Sequence, residues 1–208
     1  MTATAPSAAQ RLPGGRRSPS GLSPAQVAEH QRRRLLDAVA HTVAANGLAA
    51  TSVADVIAVA GVSRATFYQQ FTDLNDCFLA AFDAASARVT AALRSLGPTD
   101  HRTLLAAYLD VLSDDPAAAR VFLVDILALG PEGVRRRAAS QQRFAGMIAV
   151  LIGARSAADR FACEAFVAAV STMVTTRLAA GDVAGLRGLH APLADLAGRM
   201  LGVRLARA

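Results

Sequence analysis

The apolar residues of this chain recur at intervals of three and four, and the runs are cut by helix-breaking pairs: Asn46-Gly47, Gly97-Pro98, Asp115-Pro116, Gly130-Pro131 and Gly181-Asp182. A three-to-four spacing places apolar side chains on one face of a helix, whereas a strand needs strict alternation, which no segment offers. Proline favours the start of a helix and glycine its end, so the pairs mark boundaries. The pattern predicts an all-α fold of about nine helices. The first starts at Pro24 with Ser23 as its N-cap, buries Leu36, Val39, Ala40 and Val43, and stops at Asn46-Gly47, with Leu48 a core contact beyond it. Two short helices flank Gly61. A longer one begins near Leu74 and carries Phe78, Ala81, Phe82, Ala85 and Val89 on one face. Five more are expected near 100–113, 116–129, 132–153, 156–180 and 184–203. The chain is 53% hydrophobic, mostly through alanine, and only 5% aromatic. Both figures favour helices over sheets.

All 22 basic residues are arginine, and the formal net charge is +6. The first 72 residues hold seven arginines against Glu29, Asp37 and Asp55; fifteen arginines and thirteen acids share the rest. This asymmetry suits a polyanionic partner, although a solvated face with a basic tail has the same charge. Residues 1–22, rich in Ala, Pro, Gly and Ser with Arg11, Arg16 and Arg17, carry too little apolar surface to offset ordering entropy. They read as a disordered basic arm.

The segment from Val53 to Phe71 constrains function most. Ser52 with Asp55 resembles a capping box, and Val53, Val56, Ile57 and Ala60 make an apolar stripe. Gly61 supplies a sharp turn, and Ser63 can cap a second helix on which Phe67 and Phe71, with Val62, face inward. The other face carries Arg64, Ala65, Thr66, Tyr68, Gln69 and Gln70. Arginine can bind guanine with two hydrogen bonds, glutamine can bind adenine, and alanine can touch a thymine methyl. Thr, Tyr and a helix N-terminus can hold phosphates. With Thr51, Ser52 and Ser63 at the helix starts, these residues form a candidate DNA-binding surface.

The run Thr51 to Phe82, with Ala60-Gly61-Val62-Ser63, Thr66-Phe67-Tyr68, Phe71 and Cys77-Phe78-Leu79-Ala80-Ala81-Phe82, resembles the DNA-binding domain of TetR-type regulators. The resemblance covers roughly residues 24–85. It implies a three-helix DNA-reading domain at 23–73, a ligand-binding and dimerisation body at 74–208, and a homodimer. It further implies that Arg64, Ala65 and Gln69 face bases while Thr51, Thr66, Tyr68 and Gln70 face the backbone. Repression relieved by a small-molecule effector is the family-level expectation. Two positions depart from the family pattern. Leu74 stands where a lysine often contacts phosphate, and Ile57 stands where a small residue is usual.

The resemblance also implies a pocket among the helices from about 100 to 180. Val121 to Leu129 is apolar nearly all round except for Asp125, which predicts a buried helix. Asp125 could bind a polar group of a ligand, pair with an arginine such as Arg143, or lie at the surface. Tyr108, Phe122, Phe144, Met147 and Phe166 are candidate pocket walls, each equally consistent with ordinary core. Arg135-Arg136-Arg137 reads as a solvated helix start, poorly placed for the helix dipole. Ala165 to Thr176 lacks charge, and Leu193, Leu196, Met200 and Leu201 give the last helix an apolar stripe. Two such helices from each subunit would form a four-helix bundle, whose two-fold symmetry suits a palindromic operator.

Other classes fit less well. His30, His41, His101 and His190 sit in no metal or nucleophile arrangement, and Gly14-Gly15 follows no strand. Neither an enzyme nor a resident cofactor or metal is expected. Cys77 and Cys163 lie far apart, as buried thiols in a reducing compartment would. The charge-free run Ala38 to Ala54 is too polar to span a membrane. With no apolar leader visible, the expected location is the cytoplasm. The rival from another class is a helical scaffold or small-molecule carrier that binds no DNA.

Overall fold

A computed structural model describes residues 23–97 and 99–201. The segment 1–22, expected as a basic arm, lies outside them. The described residues form ten α-helices and no strand: α1 (Pro24–Asn46), α2 (Val53–Ala60), α3 (Arg64–Gln70), α4 (Leu74–Ser95), α5 (His101–Asp114), α6 (Pro116–Leu123), α7 (Pro131–Leu151), α8 (Ala157–Ala179), α9 (Val183–Gly188) and α10 (His190–Met200). Short 3-10 turns occupy Leu48–Ala50 and Asp125–Leu129.

The helix starts follow local chemistry. Ser23 closes a capping box with Gln26, Ser52 with Asp55, and Ser156 with Asp159. Each box satisfies backbone N–H groups that have no partner inside the helix. Asp73, Asp100, Asp115 and Asp182 cap α4, α5, α6 and α9 through their side chains.

Two expected helices are broken. The stretch 116–129 leaves α-helical geometry at Val124, and the 3-10 turn that follows presses against α7. Contact is so close that a Cβ on Gly133 would lie 1.8 Å from the Ile126 carbonyl oxygen, so glycine is required there. The stretch 184–203 divides at Leu189 into α9 and α10. The first break falls inside an apolar run, where periodicity carries no boundary mark; the second lies between Gly188 and Pro192, which do mark it.

One main core cluster runs from Leu35 on α1 through Phe67, Phe78 and Phe82 to Phe122, Phe166, Leu193 and Ala197. It crosses position 73/74 without interruption, because α4 packs against α1 at one end and against α5 and α6 further on. Leu193 is buried in this same core, so most of the apolar stripe on α10 faces its own chain. Cys77 and Cys163 are buried free thiols, and burial pushes Cys77 up to about 12.

The capping carboxylates make stability pH-dependent. Hydrogen bonds from Ser52, Thr103 and Ser156 hold Asp55, Asp100 and Asp159 below the usual 3.8. Burial raises Asp115, but the Ala118 N–H and the Arg88 guanidinium outweigh it, and its pKa is also lowered. A carboxyl depressed in the folded state stabilises the fold above its unfolded value and loses that contribution as pH falls through the folded value. The melting temperature, followed by circular dichroism, is therefore expected to hold level down to about pH 5 and to fall below about pH 4. Asp115→Asn should flatten part of that fall. A melting temperature unchanged down to about pH 2 would contradict the assignment.

Candidate nucleic-acid interface and interior cavity

The segment α2–turn–α3 is a helix-turn-helix. Gly61 adopts the left-handed conformation at φ 61°, and the N–H groups of Gly61 and Val62 both donate to the Ile57 carbonyl. Arg34 of α1 donates to the Gly61 carbonyl at 3.3 Å, and a Cβ at Gly61 would meet that guanidinium at 2.6 Å. Val56, Ala60, Phe67 and Phe71 are buried, with Val53, Ile57 and Val62 half-buried beside them. The larger Ile57 is thus absorbed at the edge of the core. Phe67 and Phe71 lie 5.7 Å apart, and Arg32 of α1 sits 4.6 Å from the centre of the Phe71 ring.

This anchoring turns Arg64, Ala65, Tyr68 and Gln69 outward, all exposed. Tyr68 rests edge-on against Phe67, and the Arg64 guanidinium stands 5.8 Å from the Tyr68 ring centre. The other candidate residues already serve the fold. Ser63 accepts from the Thr66 N–H to cap α3, and their hydroxyls share a hydrogen bond. Ser52 caps α2. Thr51 is buried and donates its hydroxyl to the Gly47 carbonyl. Gln70 is half-buried and reaches the Ala28 carbonyl. Ser52 and Ser63 are exposed beside the outward set, whereas Thr66 and Gln70 are half-buried and Thr51 is buried. Leu74 packs half-buried on the main core while Asp73 caps its helix. The first turn of α4 thus presents the carboxylates of Asp73 and Asp76 and no cation.

A second feature lies inside the body. A cavity that solvent can occupy to about 90 Å³ is lined by Tyr108 on α5, Phe122 on α6, Phe144 and Met147 on α7, and Phe166 on α8. Five of the six candidate ligand residues thus share one space. Asp125 is not among them. It is nearly buried and pairs with Arg120 at 3.2 Å, not with Arg143, because the break at Val124 turns it back towards α6. Burial pushes its carboxyl up, with Arg120 opposing. Arg120 also donates to the Leu178 carbonyl, tying α6 to the end of α8.

The arginine run does not act as one solvated start. Arg135 and Arg136 pair with Glu132, and Arg136 also with Asp83. Arg137 turns inward to the cavity wall, as does His101. Sequence reasoning missed both. Arg137 precedes Phe144 by seven residues and His101 precedes Tyr108 by seven, two helical turns that place each on the same face as its aromatic partner. Among the described residues no group of His, Cys, Asp and Glu could hold a metal ion.

Residues 35–81 match the family model described as bacterial regulatory proteins of the tetR family. No curated protein matches the chain significantly. Solved structures do. The fatty acid degradation regulator FadR from Bacillus halodurans is 19% identical with a TM-score of 0.70, over 85% of this chain and 97% of that one. A TetR-like transcriptional regulator from Rhodococcus sp. RHA1 is 22% identical with a TM-score of 0.62, over 81% and 96%. The multidrug binding protein EbrR complexed with imidazole is 26% identical with a TM-score of 0.54, over 78% and 94%. The described residues share the all-helical fold of these structures, with the helix-turn-helix at the N-terminal end. Residues 35–81 therefore carry a domain of the kind that this tetR-family model describes.

Proposed function

We propose that the chain is a homodimeric repressor of the cytoplasm that reads a palindromic operator with α3 and is released when a small molecule enters the interior cavity. It performs no catalysis in this role. The observation that carries the DNA-reading surface is the outward set Arg64, Ala65, Tyr68 and Gln69, fixed from beneath by buried Phe67. A rigid presentation suits base contacts, because no ordering of the helix remains to be offset on binding. Ser52, Ser63, Thr66 and the N-terminus of α3 border that surface as candidate phosphate contacts, with Thr51 and Gln70 positioning the two helices. Residues 23–73 act as the reading unit and 74–208 as the sensing and pairing unit, joined through α4.

Pairing is assigned to the outer face of α8. Phe161 is 70% exposed there, Glu164 is exposed beside it, and Ala165, Ala168, Thr172, Met173 and Thr176 continue the face without further charge. By length and mean hydropathy, 1.3, this helix could also cross a membrane, but its inner side packs against α6, α7 and α10. A helix with core on one side and bare apolar surface on the other suits a subunit contact. Exposed Met200 on α10 adjoins this role.

The DNA-reading claim is tested by a gel-shift titration with the chain's own upstream region and a scrambled control. Arg64→Ala is expected to weaken specific binding by about 1–3 kcal/mol and to relax preference at one base position. Equal affinity for both DNAs, unchanged by the substitution, would remove it.

A further inference from the structure

The cavity wall contains one guanidinium and no carboxylate. Arg137 donates from Nη2 to the Ser171 hydroxyl at 3.0 Å and the Thr175 hydroxyl at 2.9 Å, both on α8. Both partners are neutral. Among the described residues Arg137 forms no ion pair, and its Nε and Nη1 meet no protein acceptor, although Arg135 and Arg136 beside it are both paired. A guanidinium has five N–H donors in a fixed fork that matches a carboxylate. Leaving a cation against apolar walls without a counter-charge is costly, and burial lowers its pKa accordingly. His101, Tyr108, Ser140 and Gln141 line the same space. Both ring nitrogens of His101 are buried without a hydrogen-bond partner, and burial pushes the Tyr108 hydroxyl up so that it stays a neutral donor. The remaining walls include Leu93, Leu105, Phe144, Ile148 and Val170.

Resting on the effector reading above, we propose that the cavity takes a small apolar monocarboxylate, its carboxylate on the free edge of Arg137 and its hydrocarbon body among the α5, α7 and α8 side chains. The charge completes the missing ion pair. The apolar body fills the space that leucine and phenylalanine leave open. A neutral molecule of the same shape would leave the guanidinium unpaired, and an amine would face it with like charge.

The test uses the full-length protein without DNA. Benzoate and hexanoate, with benzamide, hexanol and benzylamine as matched controls, are titrated by calorimetry and by thermal melting. The carboxylates are expected to bind roughly ten- to a hundredfold more tightly than their neutral counterparts, the range for a hydrogen bond to a charged group. Arg137→Gln, which keeps a donor for Ser171 and Thr175, should erase that preference. A purely structural Arg137 would lower the melting temperature on substitution but leave the ligand preference unmoved. Neutral ligands binding as well as acids to the native protein would overturn the proposal without any variant. So would the absence of saturable binding by either acid in the millimolar range. Either result leaves the DNA-reading surface standing, since gel-shift titration measures that separately.

Discussion

Phe67→Ala is expected to destabilise the protein by about 3–5 kcal/mol and to abolish binding to every DNA sequence alike. Phe67 has no exposed surface and lies in the main core, where α3 packs against α1 and α2. Helix α3 is seven residues long, too short to persist without tertiary support. Removing the ring leaves a cavity directly beneath the outward face, and Tyr68 loses the edge it leans on. Hydrogen exchange should quicken most in residues 53–71. A variant that melts and exchanges like the native protein would refute this account of how the recognition face is held. The contrast with Arg64→Ala is informative: one change removes the platform, the other a single contact on it.

Ala168→Glu is expected to split the dimer. The position is exposed on the outer face of α8, one turn beyond Glu164, in the stretch 165–176 that carries no charge. A two-fold contact repeats every residue, so the substitution sets two carboxylates into one apolar interface. Like charges across an interface cost several kcal/mol, so dissociation should move by about two orders of magnitude or more. Sedimentation at micromolar concentration reads the change, and the helical content should persist because Ala168 does not enter the core. An unaltered dimer would move the interface elsewhere. The neighbouring Ala169 is half-buried and a poorer choice, since glutamate there also disturbs packing within the subunit.

Much of the helix-turn-helix was legible because its constraints are local. A capping pair three residues apart, a glycine at φ > 0 and two phenylalanines four apart each act within one or two turns. The break at Val124 was not legible, because apolar residues on both sides of it continue one pattern and the cause is contact with α7, distant in sequence. The turn of Asp125 onto Arg120 follows from that break. On α10, Leu193 is buried within the protein's own core while Met200 is exposed, since periodicity identifies an apolar face but not what covers each part of it. Arg137 was hidden by its neighbours. Three consecutive arginines look alike in sequence, and only the 100° step between them sends one to the interior.

The short helix α6 has a mechanical consequence. It is pinned at its start by Asp115, which holds Arg88 of α4, and at its end by Arg120, which holds both Asp125 and the last turn of α8. Tied at both ends, the eight-residue α6 is expected to shift as one unit together with the helices that hold it. Phe122 and Leu123 form part of the cavity wall, while α6 also packs against α1, the helix that supports the recognition element. A molecule that pushes on Phe122 therefore pushes on α1 through one rigid intermediary. In the proposed dimer both copies of α6 would shift together, and the separation of the two α3 helices would then report what each cavity contains.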